Sequence, residues 1–181
     1  MLLPRCCSSM KINSHKKNVS MSLIQKIQSV PAISKFFLNR YAPYKGAGVE
    51  VEHIDFKNYY IRVKMPLTSK NRNIVGVHFG GSLYSMVDPF YMLLLMHHLG
   101  NKYIVWDKAA SIQFLSPGRS TVYADIRLSA DEIQTVKNLT EDYAPIHREY
   151  DLDIYDDRGT RIAIVHKTVY IRRKKSQSKF K

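Results

Sequence analysis

Residues 73–89 read NIVGVHFGGSLYSMVDP, and residues 90–100 continue FYMLLLMHHLG. The run is apolar on nearly every side, with Leu83, Tyr84, Met86, Val87, Phe90, Tyr91, Leu93, Leu94 and Leu95 among its members. A helix of that composition must be enclosed by other elements rather than laid on a surface. One carboxylate, Asp88, stands in its middle and is followed by Pro89. A buried apolar helix has no use for an ionised group unless that group caps, pairs or reacts. Two local readings are open. Asp88 can be an N-cap with Pro89 at the first helical position, or the helix can start near Gly81 and kink at the proline, freeing the Ser85 carbonyl.

Working outward, strand signals flank this core on both sides. Val49–Phe56 precedes an alternation of Tyr59, Ile61, Val63 and Met65 with Tyr60, Arg62 and Lys64, and Lys57-Asn58 lies near the turn. After Gly100 and Asn101, Tyr103–Leu115 reads as a long strand, Pro117-Gly118-Arg119 as a turn, and Thr121–Leu128 as another strand. Ser129-x-x-Glu132 is a capping-box signature opening a short helix. Tyr150, Leu152 and Ile154 alternate with acids, Asp157-Arg158-Gly159 turns the chain, and Thr160–Ile171 returns. The order is two strands, one long helix, two strands, a short helix, two strands. The expectation is an α+β domain, an antiparallel sheet wrapped around one long central helix.

At the N-terminal side, residues 22–41 place Leu23, Ile27 and Val30, then Ile33 and Phe37, at helical spacing, with Pro31 dividing two short helices. They can pack on the domain or lie on a membrane surface. The expected organisation is a disordered basic tail over 1–20, N-terminal helices over 21–40, the main domain over 41–172 and a basic tail over 173–181.

The chain has 181 residues, 45% of them hydrophobic, and a formal charge of +13, which suits one globular domain with a sizeable core. Ten of the excess charges sit in residues 1–20 and 172–181, where no acid occurs; between them eighteen basic residues face fifteen acidic ones. That distribution argues for solvated tails rather than a specific nucleic-acid site, and leaves membrane contact through the tails or N-terminal helices as an expectation. Cys6 and Cys7 are adjacent and form no disulfide framework, and the longest apolar run is too short to span a bilayer. The expected location is the cytoplasm.

Several chemistries are missing. There is no phosphate-binding loop, dinucleotide fingerprint or serine elbow, and His97-His98 point about 100° apart on a helix, which does not make a metal pair. No metal and no cofactor are expected.

The segments NRNIVGVHFGGSLYSMVDPFY (71–91), IVWDKAASIQFLSPGRSTVYADIRLS (104–129) and KTVYIRRK (167–174) resemble the hot-dog fold, specifically an uncharacterised branch, a domain of unknown function, close to the PaaI-like thioesterases. The resemblance spans residues 40–174. It implies an acyl-CoA thioesterase whose substrate is a coenzyme A thioester, with Asn73, Gly80, Gly81 and Asp88 in register with that group's catalytic residues. The family's His-Gly-Gly is here His78-Phe79-Gly80-Gly81. Gly80 and Gly81 would offer backbone N–H groups to the thioester oxygen, and Asp88 would act as nucleophile or general base. Seven residues separate Gly81 from Asp88, about 10 Å along a helix. One subunit cannot bring both to one carbonyl, so a homodimer or dimer of dimers is expected. His78, Tyr84, Lys108 and Arg119 are candidate substrate contacts. The same tunnel could instead bind acyl-CoA or fatty acid without turnover, and a protein acting through its basic tails on membrane or nucleic acid is the remaining alternative.

Overall fold

The computed structural model describes residues 30–175. The expected tail over 1–20 and the first of the two N-terminal helices lie outside the described residues. Six strands form one antiparallel sheet: β1 (Glu50–Asp55), β2 (Tyr60–Met65), β3 (Tyr103–Phe114), β4 (Val122–Arg127), β5 (Ile146–Asp156) and β6 (Arg161–Arg173), in the spatial order β1-β2-β4-β5-β6-β3. Their alternation is legible in the sequence. In β2 the side chains of Ile61, Val63 and Met65 are buried, and in β4 those of Val122, Ala124 and Ile126. The inner face meets the apolar central run, whose Leu83, Met86, Val87, Phe90, Leu94 and Leu95 are enclosed. Burying each such side chain stabilises the fold by about 1.5–3 kcal/mol.

The N-terminal helices are α1 (Pro31–Arg40) and α2 (Ala42–Ala47). Helix α1 closes the β1 edge of the sheet. The Asn39 side chain accepts from the Val51 N–H at 2.6 Å and donates to the Val51 carbonyl at 3.2 Å, next to an irregularity in the β1–β2 pairing. This satisfies backbone groups that an open edge would leave to another chain. At the opposite edge, among the described residues, β3 pairs only with β6.

The central run is divided. Helix α3 (Gly80–Ser85) ends in a turn over residues 86–89, and α4 (Phe90–Leu99) restarts after it. The first local expectation for Asp88 fails, since the N-cap position of α4 is Pro89 itself and no side-chain hydrogen bond caps that helix. The second holds in part, since a helix does start near Gly81, at Gly80, but it breaks over residues 86–89 instead of continuing through a kink. The carboxylate is engaged elsewhere. Helix α5 (Ala130–Leu139) begins with the expected Ser129 cap, whose hydroxyl accepts from the Glu132 N–H at 3.0 Å. The Glu132 carboxylate instead receives both ends of Arg148 and the Tyr150 hydroxyl, tying α5 to β5.

Candidate active site

Strand β6 carries its inward side chains at Ala163, Val165, Lys167, Val169 and Ile171. Alternation therefore drives a lysine into the core, and Lys167 is 1% exposed. A buried ammonium is tolerable only when its protons are used. Lys167 Nζ lies 2.9 Å from Asp107 Oδ2, 2.7 Å from the Asp88 carbonyl, 3.1 Å from Asp88 Oδ1 and 3.2 Å from the Tyr84 hydroxyl. The Tyr84 hydroxyl in turn donates to Asp88 Oδ1 at 2.7 Å, one helical turn along the chain. The helix break at Asp88-Pro89 is thus pinned to β6 and, through Asp107, to the edge strand β3.

The electrostatics follow from this packing. Burial alone would depress the Lys167 ammonium, but Asp107 and then Asp88 outweigh it and hold it above the usual lysine value. The Asp107 carboxyl is pushed up chiefly by burial and further by the Asp88 charge, against the pull of Lys167. Burial and the neighbouring Asp88 and Asp107 also raise the phenol of Tyr44, whose buried hydroxyl has no partner. Asp88 itself is only half withdrawn. Its side chain is 48% exposed, and among the described residues only Oδ1 is hydrogen-bonded.

Asn73, His78 and Gly80 come together elsewhere, around a cavity of about 420 Å³ also lined by Leu83, Phe114 and Gly118. Asn73 is occupied with the loop. Its Oδ1 accepts from the Val75 and Val77 N–H groups, and its amide donates to the His78 carbonyl at 3.4 Å. His78 is buried, with Nε2 2.9 Å from the Ser120 carbonyl and Nδ1 without a partner. That geometry fits a neutral ring donating from Nε2 and keeping a lone pair on Nδ1. Burial lowers its pKa, against the Ser120 contact. Gly80 and Gly81 lie under aromatic rings: a β-carbon on Gly80 would lie 2.7 Å from Cζ of Phe114, and one on Gly81 2.5 Å from the Phe79 ring.

Asp88 does not line this cavity, so one chain leaves the glycines and the carboxylate in separate places. Lys108 does not share a face with Ala110, Ile112 and Phe114 as its alternation suggests. The β3–β6 register shifts between Asp107 and Ala109, so Lys108 is the extra residue of a bulge, exposed, and the alternation changes face across it. Arg119 is exposed in the β3–β4 loop. Lys167 and Asp107 are the residues that sequence reasoning overlooked, although a lysine flanked at i±2 by valines in a buried strand signals an inward charge. Among the described residues no three His, Cys, Asp or Glu side chains are grouped to hold a metal ion, and no helix is long and apolar enough to cross a membrane.

A six-stranded antiparallel sheet in this order around a central helical run is the hot-dog fold. The same fold occurs, at 18% identity and a TM-score of 0.66, in a Pseudomonas aeruginosa protein of unknown function described as a probable thioesterase, over 84% of this chain and 95% of that one. A Haemophilus influenzae thioesterase (16% identity, TM-score 0.60, 82% and 94%) and a Chlorobaculum tepidum protein of unknown function (16%, 0.64, 84% and 96%) share it. No curated protein matches the chain. Residues 31–171 match the domain of unknown function DUF4442, and the chain belongs to that family.

Proposed function

We propose that this protein hydrolyses an acyl-CoA thioester at a site shared by two copies of the chain, with Asp88 of one copy facing Gly80 and Gly81 of the other. The observation that carries this reading is the state of Asp88. Tyr84 and Lys167 hold Oδ1, the side chain is half exposed, and Oδ2 makes no hydrogen bond among the described residues. That is a carboxylate oriented by its support and open on its reactive edge. Oδ2 takes a proton from water as the water oxygen attacks the thioester carbon; in the covalent alternative Oδ2 attacks that carbon, and water then cleaves the resulting acyl-aspartyl anhydride, releasing the acid, restoring the carboxylate and supplying the proton. The first-turn N–H groups of Gly80 and Gly81 receive the developing oxyanion, and collapse expels the coenzyme A thiolate, which takes up the proton.

The pairing is supported by the contrast between the sheet edges. Strand β3 is twelve residues long, is paired on one side only among the described residues, and carries the exposed Trp106 and Phe114. Ile74, Val75 and Phe79 are exposed around the Gly80 cavity. A long, open, apolar edge is a template for a second copy.

A binding protein without turnover is favoured by one specific observation, the Phe114 and Phe79 rings seated over the two glycines. Release of free coenzyme A from short, long and aryl acyl-CoAs separates the readings. The expected result is turnover by the native protein and a loss of at least about a hundredfold in Asp88→Asn with unchanged melting, the scale at which general-base catalysis contributes. Thermal stabilisation by acyl-CoA with no turnover from any substrate would establish the binder instead.

A further inference from the structure

Helix α1 is turned in the opposite sense to an ordinary surface helix. Its contacts with the domain are made by Ser34, which is 3% exposed, by Leu38, which packs on the core, by Asn39 on Val51, and by Lys35, whose ammonium donates to the Glu52 carbonyl at 2.7 Å. Apart from Leu38, its large apolar side chains are exposed. Phe36 is 51% and Phe37 46% exposed, and Ile33 and Tyr41, with Val30 just before the helix, are exposed beside them. Single exposed apolar residues are ordinary, but five within twelve consecutive residues, three of them aromatic, form a patch that needs a partner.

Charge identifies the chemistry of that partner. The first acid in the chain is Glu50, and the 49 residues before it hold eight lysines and arginines. Within α1 and α2 these are Lys35, Arg40 and Lys45, and the Arg40 guanidinium sits 3.6 Å over the Phe36 ring. Aromatic side chains interleaved with cations and no acids match the boundary of an anionic bilayer, where rings settle among the headgroups and cations meet lipid phosphates. A soluble protein partner would more commonly be met by a patch with both charge signs at its rim.

We propose that the outward face of α1, centred on Phe36, Phe37 and Tyr41, docks this protein on an anionic lipid surface, with Arg40 and the lysines and arginine that precede the helix in the sequence supplying the electrostatic attraction. The inference is independent of whether the chain hydrolyses thioesters. Docking holds the domain to the bilayer by its β1 side and leaves the β3 edge free for a second copy.

The test is co-sedimentation of the full chain with vesicles of phosphatidylcholine alone and of phosphatidylcholine with phosphatidylserine, at low and high salt. The expected result is binding to the anionic vesicles only, weakened by salt, and reduced by about tenfold or more in the Phe36→Ser/Phe37→Ser double variant with unchanged melting and circular dichroism. A full chain carrying Lys11→Gln, Lys16→Gln and Lys17→Gln should bind more weakly, and should lose further binding when Phe36→Ser and Phe37→Ser are added to it. Absence of binding to anionic vesicles, equal binding to neutral ones, or binding abolished by the three glutamines but indifferent to Phe36 and Phe37 would each overturn the proposal. So would a native oligomer that the double variant breaks into smaller species without any vesicle binding, since the face would then belong to a second copy.

Discussion

The two halves of the candidate site are built on opposite terms. Around Asp88 the structure is dense in charge: a fully buried ammonium meets two carboxylates, a main-chain carbonyl and a phenol, and only Asp107 Oδ1 and the Tyr44 hydroxyl are buried there without a hydrogen-bond partner among the described residues. Around Gly80 it is slack, with an open cavity, a buried imidazole nitrogen without a partner and aromatic rings that are themselves exposed. The difference shows which half sets position and which half must accommodate something. Charges at Asp88 are locked to three elements of the fold, whereas the loop at residues 71–79 is organised by its own asparagine turns and touches the core through Val77 and His78.

The largest expected effect breaks the charge-dense half. Lys167→Met leaves Asp88 and Asp107 facing each other without a cation, and denaturant unfolding at neutral pH should show a loss of about 3–5 kcal/mol. The loss should shrink as pH is lowered. In the variant a folded-state carboxyl pKa rises, the folded chain then binds more protons than the unfolded one, and stability recovers on acidification. Combining Lys167→Met with Asp107→Asn should return a substantial part of the lost stability, because the second change removes the stranded charge. A Lys167→Met protein as stable as the native one would mean that the cluster is not an ion network.

This half is also where sequence reasoning stopped short. Strand alternation and the apolar central run were legible because burial of one face is a period-two signal, and the observed β2, β4 and β6 follow it. The partner of Asp88 was not, because pairing between β6 and the helix break is a long-range event that leaves only an out-of-place lysine as its trace. Asp88-Pro89 has the local chemistry of a helix start, and tertiary contact with Lys167 overrode it. The bulge at Lys108 was hidden for a related reason: a register shift is decided by the partner strand, and it moved the following residues to the other face. Helix α1 shows the reverse case. Its Ile33 and Phe37 spacing was visible, but the spacing alone does not say that the apolar side points away from the domain.

A middle-sized effect probes the slack half through His78. Burial holds its folded pKa below the ordinary 6.5, so in the window beneath 6.5 the unfolded chain binds more protons than the folded one. Stability is therefore fully present above about 6.5 and falls as pH drops toward the folded value. The slope contributed by one such group is at most about 1.4 kcal/mol per pH unit. In His78→Gln, whose amide can still donate to the Ser120 carbonyl, the melting temperature should vary less between pH 7 and 5 than in the native protein. Parallel curves would place the protonated ring in contact with solvent and remove the argument for a neutral imidazole beside Gly80.

The smallest effect on stability should come from Gly80, and its smallness is informative. Alanine there meets the Phe114 ring at 2.7 Å, yet the approaching atom is the far end of a side chain that is more than half exposed and able to swing away. The cost of moving it is opposed by the gain of replacing glycine in a helical turn, about 0.5–1 kcal/mol. Gly80→Ala should thus unfold within about 1 kcal/mol of the native protein, while the new methyl group and the displaced ring reshape the cavity. Measured beside acyl-CoA stabilisation and turnover, the variant separates two uses of this glycine. Lost ligand effects with unchanged stability mean that the cavity is where the acyl thioester sits. Stability lost along with them would mean that Phe114 over Gly80 is a packing contact of the fold, and that the cavity is incidental.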